Sequence, residues 1–65
     1  MMNTLCKTIV SKKMHTISLQ QVAELLKKDV SYALSNYKTI IWTLYTHTEV
    51  EEVIFKNNHF EIIYR

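Results

Sequence analysis

Hydrophobic positions change their spacing along the chain, and each spacing predicts a different element. Residues 4–10, TLCKTIV, alternate loosely and are rich in β-branched side chains, so we predict a strand there. The polar run SKK interrupts this pattern, and MHTI predicts a second short extended segment.

The segment SLQQVAELLKKDVSYALSNYK predicts one continuous amphipathic helix over about residues 18–37. Ser18 and Gln21 have the spacing of a capping box at its start. Leu25 and Tyr32 lie on the flank of the apolar face, where they either widen the core or form an exposed stripe for a partner. At about 100° per residue the other apolar side chains share an arc of about 120°; these are Leu19, Val22, Ala23, Leu26, Val30, Ala33, Leu34 and Tyr37.

From residue 39 the apolar spacing falls to two residues. TIIWTLYTH therefore predicts a strand with Ile40, Trp42 and Leu44 on one side. The polar run THTEVE then predicts a turn before the last two extended segments.

VIFKNNHFEIIYR predicts a tight β-hairpin with Asn57 and Asn58 at its tip, because Asn tolerates the positive φ of a type I′ turn. This register pairs Phe55 with Phe60 across the hairpin and gives it one apolar face. The complete pattern predicts an α+β fold, in which one amphipathic helix covers an antiparallel sheet in the order β-α-β-β-β. Residues 1–65 are expected to form a single small domain.

Composition narrows the classes of function. The chain has no glycine, which excludes a glycine-rich phosphate loop, and it leaves Asn or Asp to adopt positive φ in turns. Cys6 is the only cysteine, so no disulfide forms within the chain, and we expect a packed apolar thiol in a reducing, cytoplasmic protein. Neither a secretory signal nor a membrane-spanning run is expected. Abundant Lys, Asn, Ile and Thr suggests an AT-rich source such as a phage or mobile element.

The reactive side chains form no recognisable catalytic or metal-binding pattern. His15, His47 and His59 lie in different segments, without a second ligand at the spacing that zinc requires. The acidic run TEVEE is expected to be a solvated rim, because so small a domain has little room for a cleft that desolvates carboxylates. We therefore expect a protein without catalytic activity, cofactor, metal or small-molecule substrate.

Charge is distributed unevenly, and this favours binding of a partner protein. Residues 1–38 carry six lysines against two acidic residues, a balance of +4, and residues 39–65 carry two basic against four acidic residues, a balance of −2. The first expectation is a non-catalytic regulator of the inhibitor or modulator type. Its terminal strand would be open to pairing with a target or with a second copy in a homodimer. The expected partner-binding residues are Leu25, Tyr32, Glu49, Glu51 and Glu52.

The alternative is binding of duplex DNA. The segment TISLQQVAELLKKDVSYALSNY resembles the helix-turn-helix of small winged regulators such as excisionases and MerR-type proteins, with VIFKNNHFEIIYR as the wing. The resemblance covers about two-thirds of the chain. One continuous helix over residues 18–37 would exclude it, whereas a turn near Lys28 would favour it. It implies major-groove contacts from Ser31, Tyr32, Ser35, Asn36 and Lys38, and phosphate contacts from Lys27, Lys28, Lys56 and Arg65.

Overall fold

Helices occupy more of the chain than the sequence pattern predicts. The computed structural model describes residues 2–65, within which the helices are α1 (Met2–Ser11), α2 (Leu19–Leu26), α3 (Val30–Ser35) and α4 (Tyr37–Tyr45). The strands are β1 (Thr16–Ser18), β2 (Val50–Lys56) and β3 (His59–Tyr64). The α+β class and the antiparallel sheet are confirmed. The predicted order β-α-β-β-β is wrong, because the chain runs α-β-α-α-α-β-β.

The sheet has the order β1-β3-β2, so the terminal strand lies in its centre. The predicted hairpin register is confirmed, with Phe55 opposite Phe60. Asn57 and Asn58 have φ of 50° and 61°, as the tight turn requires. Because β3 is hydrogen-bonded on both sides, the expectation that the terminal strand is open to a second copy or a target is wrong.

Residues 4–10 are helical, so the strand predicted there is wrong. Their β-branched side chains lower helix propensity by only a few tenths of a kcal/mol each. Burying an apolar side chain contributes about 1.5–3 kcal/mol. Four buried residues at helical spacing therefore decide the outcome, and they are Leu5, Cys6, Ile9 and Val10.

The single helix predicted over residues 18–37 is broken. Its start is as predicted, because Ser18 and Gln21 form the complete capping box. However, α2 ends at Leu26, and α3 begins after Asp29, whose carboxylate accepts a hydrogen bond of 2.9 Å from the backbone N–H of Tyr32. Asp29 is thus a second N-cap inside what the apolar spacing presents as one helix.

The strand predicted from residue 39 is replaced by α4. Ile40 and Leu44 are fully buried, whereas Trp42 is 76% exposed. A strand would place all three side chains on one face, and only a helix separates Trp42 from the other two.

Two tyrosine hydroxyls fasten the helices to the sheet. The Tyr64 hydroxyl bonds the carbonyl of Met14 at 2.8 Å, which ties the end of β3 to the segment after α1. The Tyr45 hydroxyl accepts from the backbone N–H of Val53 at 2.9 Å on the outer edge of β2.

None of the helices in residues 2–65 has the length and apolarity needed to cross a bilayer. The buried core that these contacts enclose is formed by Leu5, Cys6, Ile9, Val10, Ile17, Leu19, Val22, Ala23, Leu26, Ala33, Ile40, Leu44, Val50, Val53, Phe60 and Ile62.

Candidate functional site

The turn between α2 and α3 is three residues long and begins with a left-handed residue. Lys27 has φ 59° and ψ 40°, the conformation that usually favours glycine after a helix. The backbone N–H of Lys28 then bonds the carbonyl of Ala23 at 3.0 Å, which caps the last turn of α2. The chain therefore changes direction at residues 27–29, and α3 is a separate element packed against α2.

The outer surface of α3 combines small polar and apolar side chains. Ser31 and Ser35 are exposed, and Val30 and Leu34 are 44% and 47% exposed, while Ala33 is buried beneath them. Residues 30–48 contain no aspartate or glutamate. The helix itself therefore carries no negative side chain, and the carboxylate that precedes it, Asp29, is engaged as its N-cap.

The hairpin tip lies beside this surface. The backbone N–H of Leu19 donates to the carbonyl of Asn58 at 2.9 Å, which fixes the tip to the start of α2. A shallow cavity of about 390 Å³ is lined by residues of both α3 and the tip, including Val30, Leu34, Asn57 and Asn58. We call the outer side of α3 together with residues 56–59 the α3–hairpin face.

Lysines stand at both margins of the α3–hairpin face. Lys27 and Lys28 precede α3, and Lys38 follows it. Lys56 adjoins the hairpin tip, where its Nζ lies 3.7 Å from a carboxylate oxygen of Glu61. Both of these side chains are exposed to solvent, so this ion pair holds Lys56 only weakly.

Three of the six acidic residues lie at the opposite end of the hairpin, and they are Glu49, Glu51 and Glu52. Val50 pairs with Tyr64 at its base, and Glu51 and Glu52 are the next residues along β2. At about 3.3 Å per residue they lie roughly 17–20 Å along the strand from Asn57. The Debye length is about 8 Å at physiological ionic strength, so these carboxylates have little effect on the electrostatic potential at the tip.

Two residues predicted to contact DNA lie elsewhere or have another role. Asn36 is at the junction of α3 and α4, where its side-chain N–H donates to the carbonyl of Tyr32 at 2.8 Å. Arg65 is at the hairpin base, where its backbone N–H bonds the carbonyl of Glu49 at 2.9 Å. The α3–hairpin face thus contains Ser31, Ser35 and Lys56, whereas Lys28 and Lys38 flank α3 in sequence. Lys27 also precedes α3 but lines a depression with Thr4 and Thr8 of α1, and Arg65 lies at the hairpin base.

The residues predicted to bind a partner protein are divided among three elements and a turn. Leu25 is on α2 and 48% exposed, whereas Tyr32 is on α3 and partly buried against the core. The idea that they form one stripe along a single helix is therefore wrong. Glu49 lies in the turn before β2, and Glu51 and Glu52 are exposed on that strand.

Three exposed apolar residues were missed because the sequence pattern placed them in the core. They are Val30, Leu34 and Trp42. An N-cap signal is present at Asp29, but the uninterrupted apolar phase outweighs it when the segment is considered alone. For Trp42 the only signal is the helical spacing of Ile40 and Leu44, which is ambiguous in so short a run.

The described residues contain no reactive cluster. Within residues 2–65, no three His, Cys, Asp or Glu side chains converge as metal ligands. Burial raises the pKa of the Cys6 thiol from 9.0 to about 11, so the thiol stays protonated at neutral pH. The exposed groups of the α3–hairpin face are hydroxyls, amides, a lysine and apolar side chains.

Comparison with known proteins leaves the α3–hairpin face as the basis for a functional proposal. No protein-family model, curated protein or solved structure matches this chain.

Proposed function

We propose that this chain is a winged helix-turn-helix protein that binds duplex DNA. The observation that carries the proposal is the turn at residues 27–29, which presents α3 beside the hairpin tip on one face. In winged DNA-binding proteins the second helix of such a pair enters the major groove, and the hairpin contacts the adjacent backbone or groove. The strand order β1-β3-β2, with β1 between the first two helices, supports the same architecture.

The side chains on and beside the α3–hairpin face include candidates for phosphate contacts and for contacts to base edges. Lys27, Lys28 and Lys56 would neutralise phosphates on either side of the groove. Ser31 and Ser35 would meet base edges, to which hydroxyls both donate and accept hydrogen bonds. The apolar side chain of Leu34 would contact the methyl group of a thymine.

Charge reduction at the hairpin tip tests the proposal. We expect fluorescence anisotropy to detect binding to duplex DNA that weakens steeply with salt, because bound lysines release counterions. Lys56→Gln should weaken binding uniformly across sequences and reduce the salt slope by about 1. Absence of binding at low salt would refute the proposal.

The chain offers a matched control at the other end of the sheet. The Lys13 Nζ lies 5.1 Å from the centre of the Tyr64 ring, close to the hairpin base and far from its tip. Lys13→Gln removes the same charge and should leave the salt slope unchanged. Equal losses from Lys56→Gln and Lys13→Gln would indicate nonspecific attraction in place of a defined face.

Binding of a partner protein is a second candidate function, favoured by the position of Leu25. This exposed side chain lines a shallow cavity of about 310 Å³ with Met14 and Ile17, between α1 and α2. Such a groove accepts an apolar anchor from another protein. Capture of a host protein by the native chain but not by Leu25→Lys would support this function. Equal capture by both would place the contact elsewhere.

A further inference from the structure

An exposed aromatic cluster lies on α4. Trp42 is 76% exposed and Tyr45 is 47% exposed, and together with Ile41 they line a shallow, mainly apolar depression of about 420 Å³. We call these three residues the Trp42 patch. Trp is enriched at the energetic centres of protein interfaces, because a large ring buries much apolar area at a small entropic cost.

The Trp42 patch is held in place by the contacts of α4. Ile40 and Leu44 anchor the opposite side of the helix in the core with no solvent exposure. The Tyr45 hydroxyl is fixed to the backbone N–H of Val53 at 2.9 Å, so the ring stays on the surface beside β2. Because the α4 backbone and the Tyr45 ring are already fixed, less conformational entropy is lost when the patch is covered.

Charges at the two ends of the patch are opposite in sign. Lys38 is exposed in the first turn of α4. The last turn of α4 has no basic residue, and the acidic residues Glu49, Glu51 and Glu52 follow it. Cations are favoured at the carbonyl end of a helix, so this end would be stabilised by a cation from another molecule.

We propose that the Trp42 patch is the contact surface between two copies of this chain, related by a twofold axis near Trp42. With α4 antiparallel to its copy, at about 1.5 Å per residue, Lys38 lies opposite residue 46 of the second molecule. Glu49 is exposed three residues further on, in the turn before β2, and the dimer would bring it close to the Lys38 side chain. The surface is thus self-complementary, as an isologous interface requires: aromatic rings meet at the axis, and Lys38 meets Glu49 twice.

The first experiment measures association without DNA. Trp42 is the only tryptophan, so its emission should shift to shorter wavelength as protein concentration rises, in parallel with dimer formation in sedimentation velocity. Trp42→Ser should remain monomeric in sedimentation, while the control Leu25→Ser, at another exposed apolar residue, should dimerise like the native chain. A native chain that stays monomeric at millimolar concentration would overturn the proposal, as would a Trp42→Ser chain that still dimerises.

A charge exchange tests the geometry without altering the aromatic cluster. Lys38→Glu and Glu49→Lys should each weaken dimerisation at least several-fold, and the double exchange should restore it. Failure of restoration would refute the antiparallel arrangement. Because these measurements contain no DNA, a negative result would leave the DNA-binding proposal standing, and loss of DNA binding would leave the dimer standing.

Discussion

Lys27 has a strained backbone conformation in the turn between α2 and α3. In the absence of glycine, a lysine occupies the left-handed position after α2, where a residue with a Cβ loses about 1–2 kcal/mol. Lys13 has φ 52° in the loop after α1, so the expectation that Asn or Asp provides every positive φ is wrong at both positions.

Replacing Lys27 by glycine should therefore separate stability from binding. We expect Lys27→Gly to stabilise the fold by about 0.5–1 kcal/mol in urea unfolding, because removal of the left-handed strain exceeds the added chain entropy. The same variant should bind DNA more weakly. Lys28→Gly is the control, since Lys28 has no positive φ to relieve and should be destabilised. Destabilisation of both variants would show that Lys27 is not strained.

Cys6 predicts a pH dependence of stability. Its thiol donates to the carbonyl of Ile40, with the sulfur 3.8 Å from the oxygen, and burial raises its pKa from 9.0 to about 11. The unfolded thiol ionises first as pH rises, so this contribution is complete below pH 9 and disappears towards pH 11.

Urea unfolding at two pH values measures that contribution. Between about pH 8 and 10.5 the native chain should lose roughly 2 kcal/mol more stability than Cys6→Ala, at about 1.36 kcal/mol per pKa unit. Tyr64, whose pKa is raised by burial and then by Glu49, is present in both chains, so its titration cancels in the difference. Equal losses of stability from the two chains would contradict the claim that burial raises the pKa of the Cys6 thiol.

At the scale of elements, local chemistry predicts the hairpin and the helix start but not the other helices. The tight Asn57–Asn58 tip fixes the register of its own strands, and Ser18 with Gln21 fixes the start of α2, because each signal acts over a few residues. Residues 4–10 and 39–45 become helical by packing on each other, through α1 and α4. Local spacing does not contain that long-range contact, so the exposure of Trp42 was not predicted. Val30 and Leu34 were placed in the core because α2 and α3 were predicted as one helix. The sequence did name the lysines of the candidate site, and their role stays a prediction.

The outer edge of β2 depends on Tyr45. Its hydroxyl accepts a hydrogen bond from the backbone N–H of Val53. Without it, this N–H would be free to pair with another strand. Tyr45→Phe should lower the free energy of unfolding by about 1 kcal/mol and increase aggregation on heating. Tyr37→Phe removes the same hydroxyl from a residue whose ring stacks on Phe55 at 4.7 Å, and should behave like the native chain. Identical behaviour of both variants would show that the edge contact is dispensable.

At the scale of the whole molecule, the distribution of charge matters more than its small total. The net charge is only +2, but the lysines at residues 27–28 and 56 adjoin the α3–hairpin face, while three of the six acidic residues cluster at the hairpin base. A polyanion should therefore approach the protein in one orientation, with the acidic end directed away from the phosphates.

Amide chemical-shift mapping during titration with duplex DNA tests the central claim most directly. If the α3–hairpin face binds DNA, the shifts of Lys28, Ser31, Ser35 and residues 56–59 should move together and saturate. The hairpin base at residues 49–52 should change least. Shifts that concentrate at the base, or that are absent at low salt, would contradict the proposed DNA-binding face.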